Sequence, residues 1–289
     1  MDIARAILAA HPGRGVASVA RAIGASRSAL TAQPKLGKRG RKALPQDDLL
    51  REIREIVDER ASYGYRRAWG ILRRRRRRRG QCGPNHKRVY RVMKAHNLLL
   101  ERSTGDGIDR RHDGTIAVAE SNLRWCSDGF TIRCDNGERV EVAFALDCCD
   151  REAIDFIASS GAIAGDHIRD LMLTSIEKRF NGEPPERAIQ WLSDNGSVYT
   201  ARDTRNFATM LGLNPKRTPV RSPQSNGMAE SFVKNIKRDY VDVYGAPDAL
   251  TVLRNLPRWI EDYNEHHPHK ALGYQSPREF RRSKLSETA

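Results

Sequence analysis

The feature that most constrains this chain is a change of hydrophobic period near residue 120. Upstream, apolar residues recur every three to four positions, the spacing of helices that bury one face. Downstream they alternate, the spacing of strands. Residues 124–133 and 139–147 read as two strands, and Asp135–Asn136–Gly137 between them is a strong hairpin turn. Ala153–Ala158 reads as a third strand. The pattern then alternates: helix Asp166–Arg179, strand Ala188–Leu192, helix Ala201–Leu211, strand Leu213–Pro219. A helix follows the Ser222–Gly227 loop and runs to about Tyr244, and another covers Ala249–Asn264. A meander followed by alternating helices and strands implies a mixed α/β sheet with helices on its faces.

The upstream part reads as all-helical. Val16–Ala32 suits two short helices around Gly24, a small helix-turn-helix, and Gln33–Pro45 reads as a linker. Asp47–Arg60 carries Leu49, Leu50, Ile53 and Ile56 at helical spacing. Tyr63–Gly64–Tyr65 interrupts the pattern and Arg66–Arg79 resumes it. Helix His86–Asn97 follows Gly83–Pro84–Asn85. Its apolar stripe is Val89, Val92 and Met93, and Lys87, Arg88, Arg91 and Lys94 lie on the other side, which suits a recognition helix on DNA. Ser103–Asp113 is a second linker. The predicted division is a small helix-turn-helix and basic linker (1–45), a helical DNA-binding domain (46–102), a linker (103–120), a mixed α/β core (121–246) and its helical extension (247–289).

Charge follows the same boundary. Residues 1–120 hold 28 Lys and Arg against 12 Asp and Glu, a net of +16; residues 121–289 hold 23 against 24, a net of −1. A cationic module that grips a polyanion, joined to a near-neutral domain, explains this split; arginine-driven solubility does not. The run Arg73–Arg79 cannot form a packing stripe, because consecutive helical residues project all round. It reads as a frayed helix end or loop held open by self-repulsion, and both a phosphate clamp and a merely biased stretch remain open. No apolar run is long enough to span a membrane, no signal peptide is expected, and five irregularly spaced cysteines fit a reducing cytoplasm.

Three acids occupy positions that call for explanation. Asp128 lies inside the first strand, where an acid is disfavoured. Asp194 follows the apolar run Ile189–Leu192 at the carboxyl end of a strand, where open α/β sheets put their sites. Glu230 is in the first turn of a helix after the Ser222–Gly227 loop. Hard oxygen donors of this kind suit Mg²⁺, and two ions about 4 Å apart can clamp the attacking and leaving oxygens of an in-line displacement. Asp147 and Asp150 read as strand-end or loop acids, and Asp155, Asp166 and Asp170 as solvated faces and caps. Cys148 and Cys149 point to opposite faces, and Cys82, His86 and His96 do not complete a zinc set.

The interval between Asp194 and Glu230 holds 35 residues. With Trp125–Gly129, Ser193–Ser197 and RSPQSNGMAES at Arg221–Ser231, it resembles the three carboxylate boxes of the DDE transposases and retroviral-type integrases. More narrowly, it is similar to the downstream-frame transposases of the IS-three family of bacterial insertion sequences. YGYRR at Tyr63–Arg67, KRVYRVM at Lys87–Met93 and DYNEHHPHKALGYQSP at Asp262–Pro277 resemble that family's flanking signatures.

The resemblance implies a ribonuclease-H-like fold, with Asp128, Asp194 and Glu230 as catalytic metal ligands for Mg²⁺ or Mn²⁺, two ions in all. It implies that Lys234 and Lys237, on the helical face of Glu230, hold the DNA end. The implied partners are double-stranded DNA at the terminal inverted repeats and at the target, further copies of the chain as a homo-oligomer on DNA, and the upstream-frame product as a fusion. The implied location is the bacterial cytoplasm, at the nucleoid. Two other readings of the same residues are a non-enzymatic DNA-binding regulator and a nuclease without strand transfer.

Overall fold

The computed structural model describes residues 6, 9–10, 13, 15–24, 26–28, 47–101, 117–217 and 227–288. The chain divides into two compact units, residues 1–46 and 47–289. In the first, helix α1 (Val16–Ala22) buries Val19 and Ala20, and Gly24 follows at φ +64°. A second helical turn begins at Arg27, and the rest of that expected helix lies outside the described residues. So do both linkers and residues 222–226 of the loop before Glu230.

The second unit begins with three helices: α2 (Asp47–Glu59), α3 (Tyr65–Arg78) and α4 (His86–Ala95). Their apolar stripes meet in one small core in which Ile53, Ile56, Leu72, Val89 and Met93 are sealed from solvent. Asn85 starts α4 by accepting a hydrogen bond from the Lys87 amide at 2.9 Å.

The arginine run departs from expectation. It is helical through Arg78, and much of it is matched by acids from two sides. Arg76 bonds Glu52 at 3.0 Å and Arg75 bonds Glu59 at 2.5 Å, both on α2. Arg74 and Arg78 both bond Glu279, Arg78 at 2.8 Å. Arg73 lies over the Trp69 ring at 5.5 Å. Projection all round the helix, which prevents a packing stripe, is what lets opposite faces reach carboxylates on different elements.

The sheet contains β1 (Arg124–Arg133), β2 (Arg139–Asp147), β3 (Ala153–Ser159), β4 (Ile189–Ser193) and β5 (Leu213–Arg217), in the order β3-β2-β1-β4-β5. The first three form an antiparallel meander, and β4 and β5 join parallel to β1. Gly137, at φ +89°, closes the first hairpin by donating to the Cys134 carbonyl at 3.0 Å. Helices α5 (Gly165–Phe180), α6 (Ser197–Thr200) and α7 (Arg202–Met210) interleave with β4 and β5. Then come α8 (Gly227–Ile236), continued by a π-helical stretch at Lys237–Val241 and a last turn at Asp242–Tyr244, α9 (Ala249–His266) and α10 (Pro277–Thr288). This is the mixed, helix-flanked ribonuclease-H-like architecture.

Side-chain parity assigns the two faces. Odd-numbered Trp125, Ala143, Ala145 and Trp191 pack with Ile168, Leu171 and Met172 of α5. Even-numbered Cys126, Phe130, Val142 and Phe144 pack with Ala229 and Phe232 of α8 and Val252 and Leu256 of α9. Phe144 and Phe232 approach to 4.4 Å between ring centroids. Among the described residues no helix is long and apolar enough to cross a membrane.

Candidate active site

The sheet's register relates the first two acids. Strands β1 and β4 run parallel, with Cys126 opposite Leu192. Asp128 lies two residues beyond that pair on β1, with the parity of Cys126 and Phe130, which pack under α8, and Asp194 comes directly after β4 ends at Ser193. Asp128 is half-buried and Asp194 exposed. An Asp128 carboxylate oxygen accepts from the Gly129 amide at 2.8 Å, and one of Asp194 accepts from the Gly196 amide at 2.9 Å, an Asx turn that ends β4.

Glu230, half-buried, lies in the first turn of α8, the helix that covers this face. Among the described residues no three His, Cys, Asp or Glu side chains form a ready-made metal-holding group. Asp128 and Asp194 thus come from the paired strands β1 and β4, and Glu230 from the helix that covers one face of the sheet.

Beneath the two aspartates is a buried pair that sequence reasoning missed. The hydroxyls of Ser127 and Tyr199 are 3.0 Å apart. Burial, and then the charges of Asp128 and Asp194, push the Tyr199 phenol up, so it stays protonated. Tyr199 follows Asp194 by five residues on the short helix α6, and only the folded turn brings it back under β1.

Lys234 is exposed, one turn beyond Glu230. Lys237, half-buried, starts the π-helical stretch and sets its ammonium 5.8 Å from the Phe130 ring, two residues along β1 from Asp128 on the same face. Lys87 and Arg91 are exposed on α4, Arg88 is half-buried, and Val89, Val92 and Met93 face the core. The structure therefore separates the singled-out residues into two groups, one at the sheet face and one on α4.

Integrase core domain families match residues 118–223 and 211–277, and an HTH-like domain family matches residues 45–103. The transposase InsD for insertion element IS2A/D/F/H/I/K of Escherichia coli is 50% identical over 291 residues, covering 98% of this chain and 96% of that protein. The chain belongs to the insertion-element transposases of the DDE integrase-core superfamily, of IS-three-family type.

Solved structures with this likeness include the catalytic core of BIV integrase (19% identity, TM-score 0.41, 58% of this chain and 99% of that one). Another is the HTLV-2 integrase core in complex with magnesium, in its trimeric form (13% identity, TM-score 0.42, 55% and 95%). The near-full-length match makes this chain a transposase, an enzyme of DNA transposition with an integrase catalytic core and a DNA-binding helix-turn-helix region. The regulator and simple-nuclease readings are not favoured.

Two of the transposase's signatures, far apart in sequence, meet in space. Tyr63 of YGYRR is 2.9 Å from Nδ1 of buried His267, and Arg60, three residues before it, pairs with Asp262. Gly70 lies against Tyr274: a Cβ there would come within 2.8 Å of the Tyr274 Cβ. A side chain at position 70 would collide with this contact, so the glycine permits helix α3 to dock on the 267–275 segment.

A second group of acids has no part in the site. Arg179, nearly sealed from solvent, bonds Glu152 at 2.5 Å, Asp150 at 2.9 Å and Asp147 at 3.2 Å. Asp155, read from sequence as a solvated acid, is buried and pairs with Lys178 at 2.5 Å. Alternation alone hides this, because the lysine comes from α5 and caps a carboxylate inside the sheet's edge.

Proposed function

We propose that Asp128, Asp194 and Glu230 are the catalytic carboxylates of this transposase, holding two divalent ions, Mg²⁺ or Mn²⁺. The observation that supports this reading is the β1–β4 pairing, which puts the strand of Asp128 beside the one that Asp194 follows, in a sheet covered on one face by the helix of Glu230. The donor chemistry fits: carboxylates alone, without thiolate or imidazole, suit an oxygen-seeking cation. When bound, such ions supply Lewis-acid stabilisation to the attacking and leaving oxygens of phosphoryl transfer.

The chain's own residues do the rest. Lys234 and Lys237, on the same helix as Glu230, hold the phosphates of the element's end beside the carboxylates. On α4, Lys87, Arg88 and Arg91 reach into the major groove of the terminal inverted repeat and select it. The 3′ hydroxyl exposed by cleavage attacks a target phosphodiester in line, while the buried Ser127–Tyr199 pair fixes the strand that carries Asp128. The division of labour follows 1–45, 46–102, 103–120, 121–246 and 247–289, with target DNA engaged by a homo-oligomer and the upstream-frame product joined as a fusion.

The test is an assay with the purified full chain and a duplex ending in the element's terminal repeat. The expected result is metal-dependent cleavage at the repeat followed by joining to target DNA. Cleavage without any joined product would favour the nuclease reading, and repeat binding without cleavage the regulator reading.

A further inference from the structure

We propose that Arg67 is a positioning residue for strand cleavage. Its guanidinium ties the docked helix-turn-helix region to both sides of the α-to-π junction in the helix that carries Glu230. The inference rests on the reading of Glu230 as a catalytic carboxylate.

The junction is unusual. Helix α8 ends at Ile236 and the chain continues as a π-helical stretch from Lys237 to Val241. Such a stretch is rarer than α-helix, and it offsets the residues before it from those after it. Glu230 and Lys234 lie before the change, Lys237 begins it, and the Asp242–Tyr244 turn lies beyond it. Whatever fixes the junction fixes how Glu230 and Lys237 are aimed relative to one another.

Arg67 reaches it from α3. One terminal nitrogen donates to Asp239 at 2.9 Å and the other to Asn235 at 2.9 Å. Asn235 is in the last turn of α8 and Asp239 is inside the π-helical stretch, so a single planar fork spans the change. Both acceptors are buried. Arg238 also bonds both, Nε to Asp239 at 2.7 Å and Nη2 to Asn235 at 2.9 Å, and so bridges the junction from within this helix, whereas Arg67 ties it to α3. His267, 3.6 Å from Asp239, is kept neutral by burial and contributes no charge.

The docking does not depend on Arg67 alone. The Arg60–Asp262 pair, the Tyr63–His267 hydrogen bond and the Gly70–Tyr274 contact hold the same elements together. Loss of Arg67 therefore releases the junction from α3, with Arg238 still bridging Asn235 and Asp239, while leaving the helix-turn-helix region in place. That separates a positioning role from a general structural one.

The experiment compares Arg67→Gln and Arg67→Lys with the parent full chain on a terminal-repeat duplex. Duplex affinity, single-turnover cleavage rate and hydrogen exchange of the 235–241 amides are measured, with Glu230→Gln as control. The expected result is affinity within about twofold, cleavage slowed by roughly a hundredfold as small misplacements at reacting groups do, and faster exchange confined to the junction. Lysine keeps the charge but offers one nitrogen in place of the rigid fork whose two nitrogens meet Asp239 and Asn235, so Arg67→Lys is expected to resemble Arg67→Gln.

Full activity in Arg67→Lys would show that charge alone matters and overturn the proposal. Wild-type cleavage by Arg67→Gln, with Glu230→Gln inactive, would also overturn it. An active Glu230→Gln would instead remove the reading of Glu230, and this inference with it. Should Arg67→Gln fail to fold, Asn235→Ala withdraws one of the two anchors and is held to the same outcomes.

Discussion

Two groups of carboxylates, one where β2 turns into β3 and one proposed for catalysis, lie in opposite surroundings. Asp147, Asp150 and Glu152, where β2 turns into β3, are buried around Arg179, and Arg278 and Arg281 also bond Glu152 at 2.9 and 3.0 Å. Backbone amides of Asn122 and Cys149 complete Asp147, each at 2.7 Å. Burial first, and then the charge of Asp147, push Asp150 up to about 6. Asp194, by contrast, is exposed, and Asp128 and Glu230 are half-buried. Acids that meet a fixed internal cation are committed to the fold. The acids proposed for catalysis are more open to solvent, as a diffusible cation and a phosphate require. Residue type is the same in both groups; access differs.

The largest test of this contrast is Arg179→Met. Removing the cation leaves Asp147 and Asp150 buried together without it, while Glu152 keeps Arg278 and Arg281, and breaking such a cluster costs about 3–5 kcal/mol. Urea unfolding of the full chain should show that loss. A midpoint unchanged from the parent would mean that the buried group carries no fixed charge, and the contrast would fail.

A smaller effect comes from pH. Burial lowers His267 well below its ordinary value, and takes His269 down to about 3. As pH falls below about 6.5 the unfolded chain protonates these imidazoles and the folded chain does not, so stability drops. The loss is about 2 kcal/mol for His269 at pH 5. Asp150 runs the other way: its raised value adds stability below about pH 4 that is lost as pH climbs through about 6. His269→Gln should therefore lose less stability than the parent between pH 7 and pH 5. Equal losses would place His269 in contact with solvent.

The smallest effect concerns the arginine run, where the same contrast between committed and accessible charge recurs. Arg73 and Arg77 are exposed, whereas Arg74 and Arg76 are half-buried against acids. Arg73→Ser with Arg77→Ser should reduce the salt dependence of duplex binding by about 0.9 in log–log slope for each phosphate left without its arginine. Arg74→Ser with Arg76→Ser should change that slope little and lower stability instead. The reverse pattern would return the whole run to the role of an open phosphate clamp.

What the sequence disclosed tracks how local the cause is. The β1–β2 hairpin is read to the residue, since alternation and an Asn–Gly turn are written in neighbouring positions. The helix after the Ser222–Gly227 loop is visible, but its π-helical stretch leaves no periodic mark. The fate of the arginine run is not legible either, because Glu279 lies some two hundred positions downstream. Nor is Arg67, whose partner Asp239 is 172 residues away. The alternation of β3 marks Asp155 as outward but not as capped by Lys178. The three acids proposed for catalysis stood out for a local reason, an aspartate within a strand or at its end and a glutamate opening a helix.

The most direct test is Mn²⁺ binding to the full chain on a terminal-repeat duplex, followed by the electron paramagnetic resonance signal of the free ion. The parent and Asp150→Asn are expected to bind alike, while Asp128→Asn, Asp194→Asn and Glu230→Gln each lose tight binding and cleavage together. Tight binding and cleavage retained by Asp194→Asn, or lost in Asp150→Asn, would contradict that expectation.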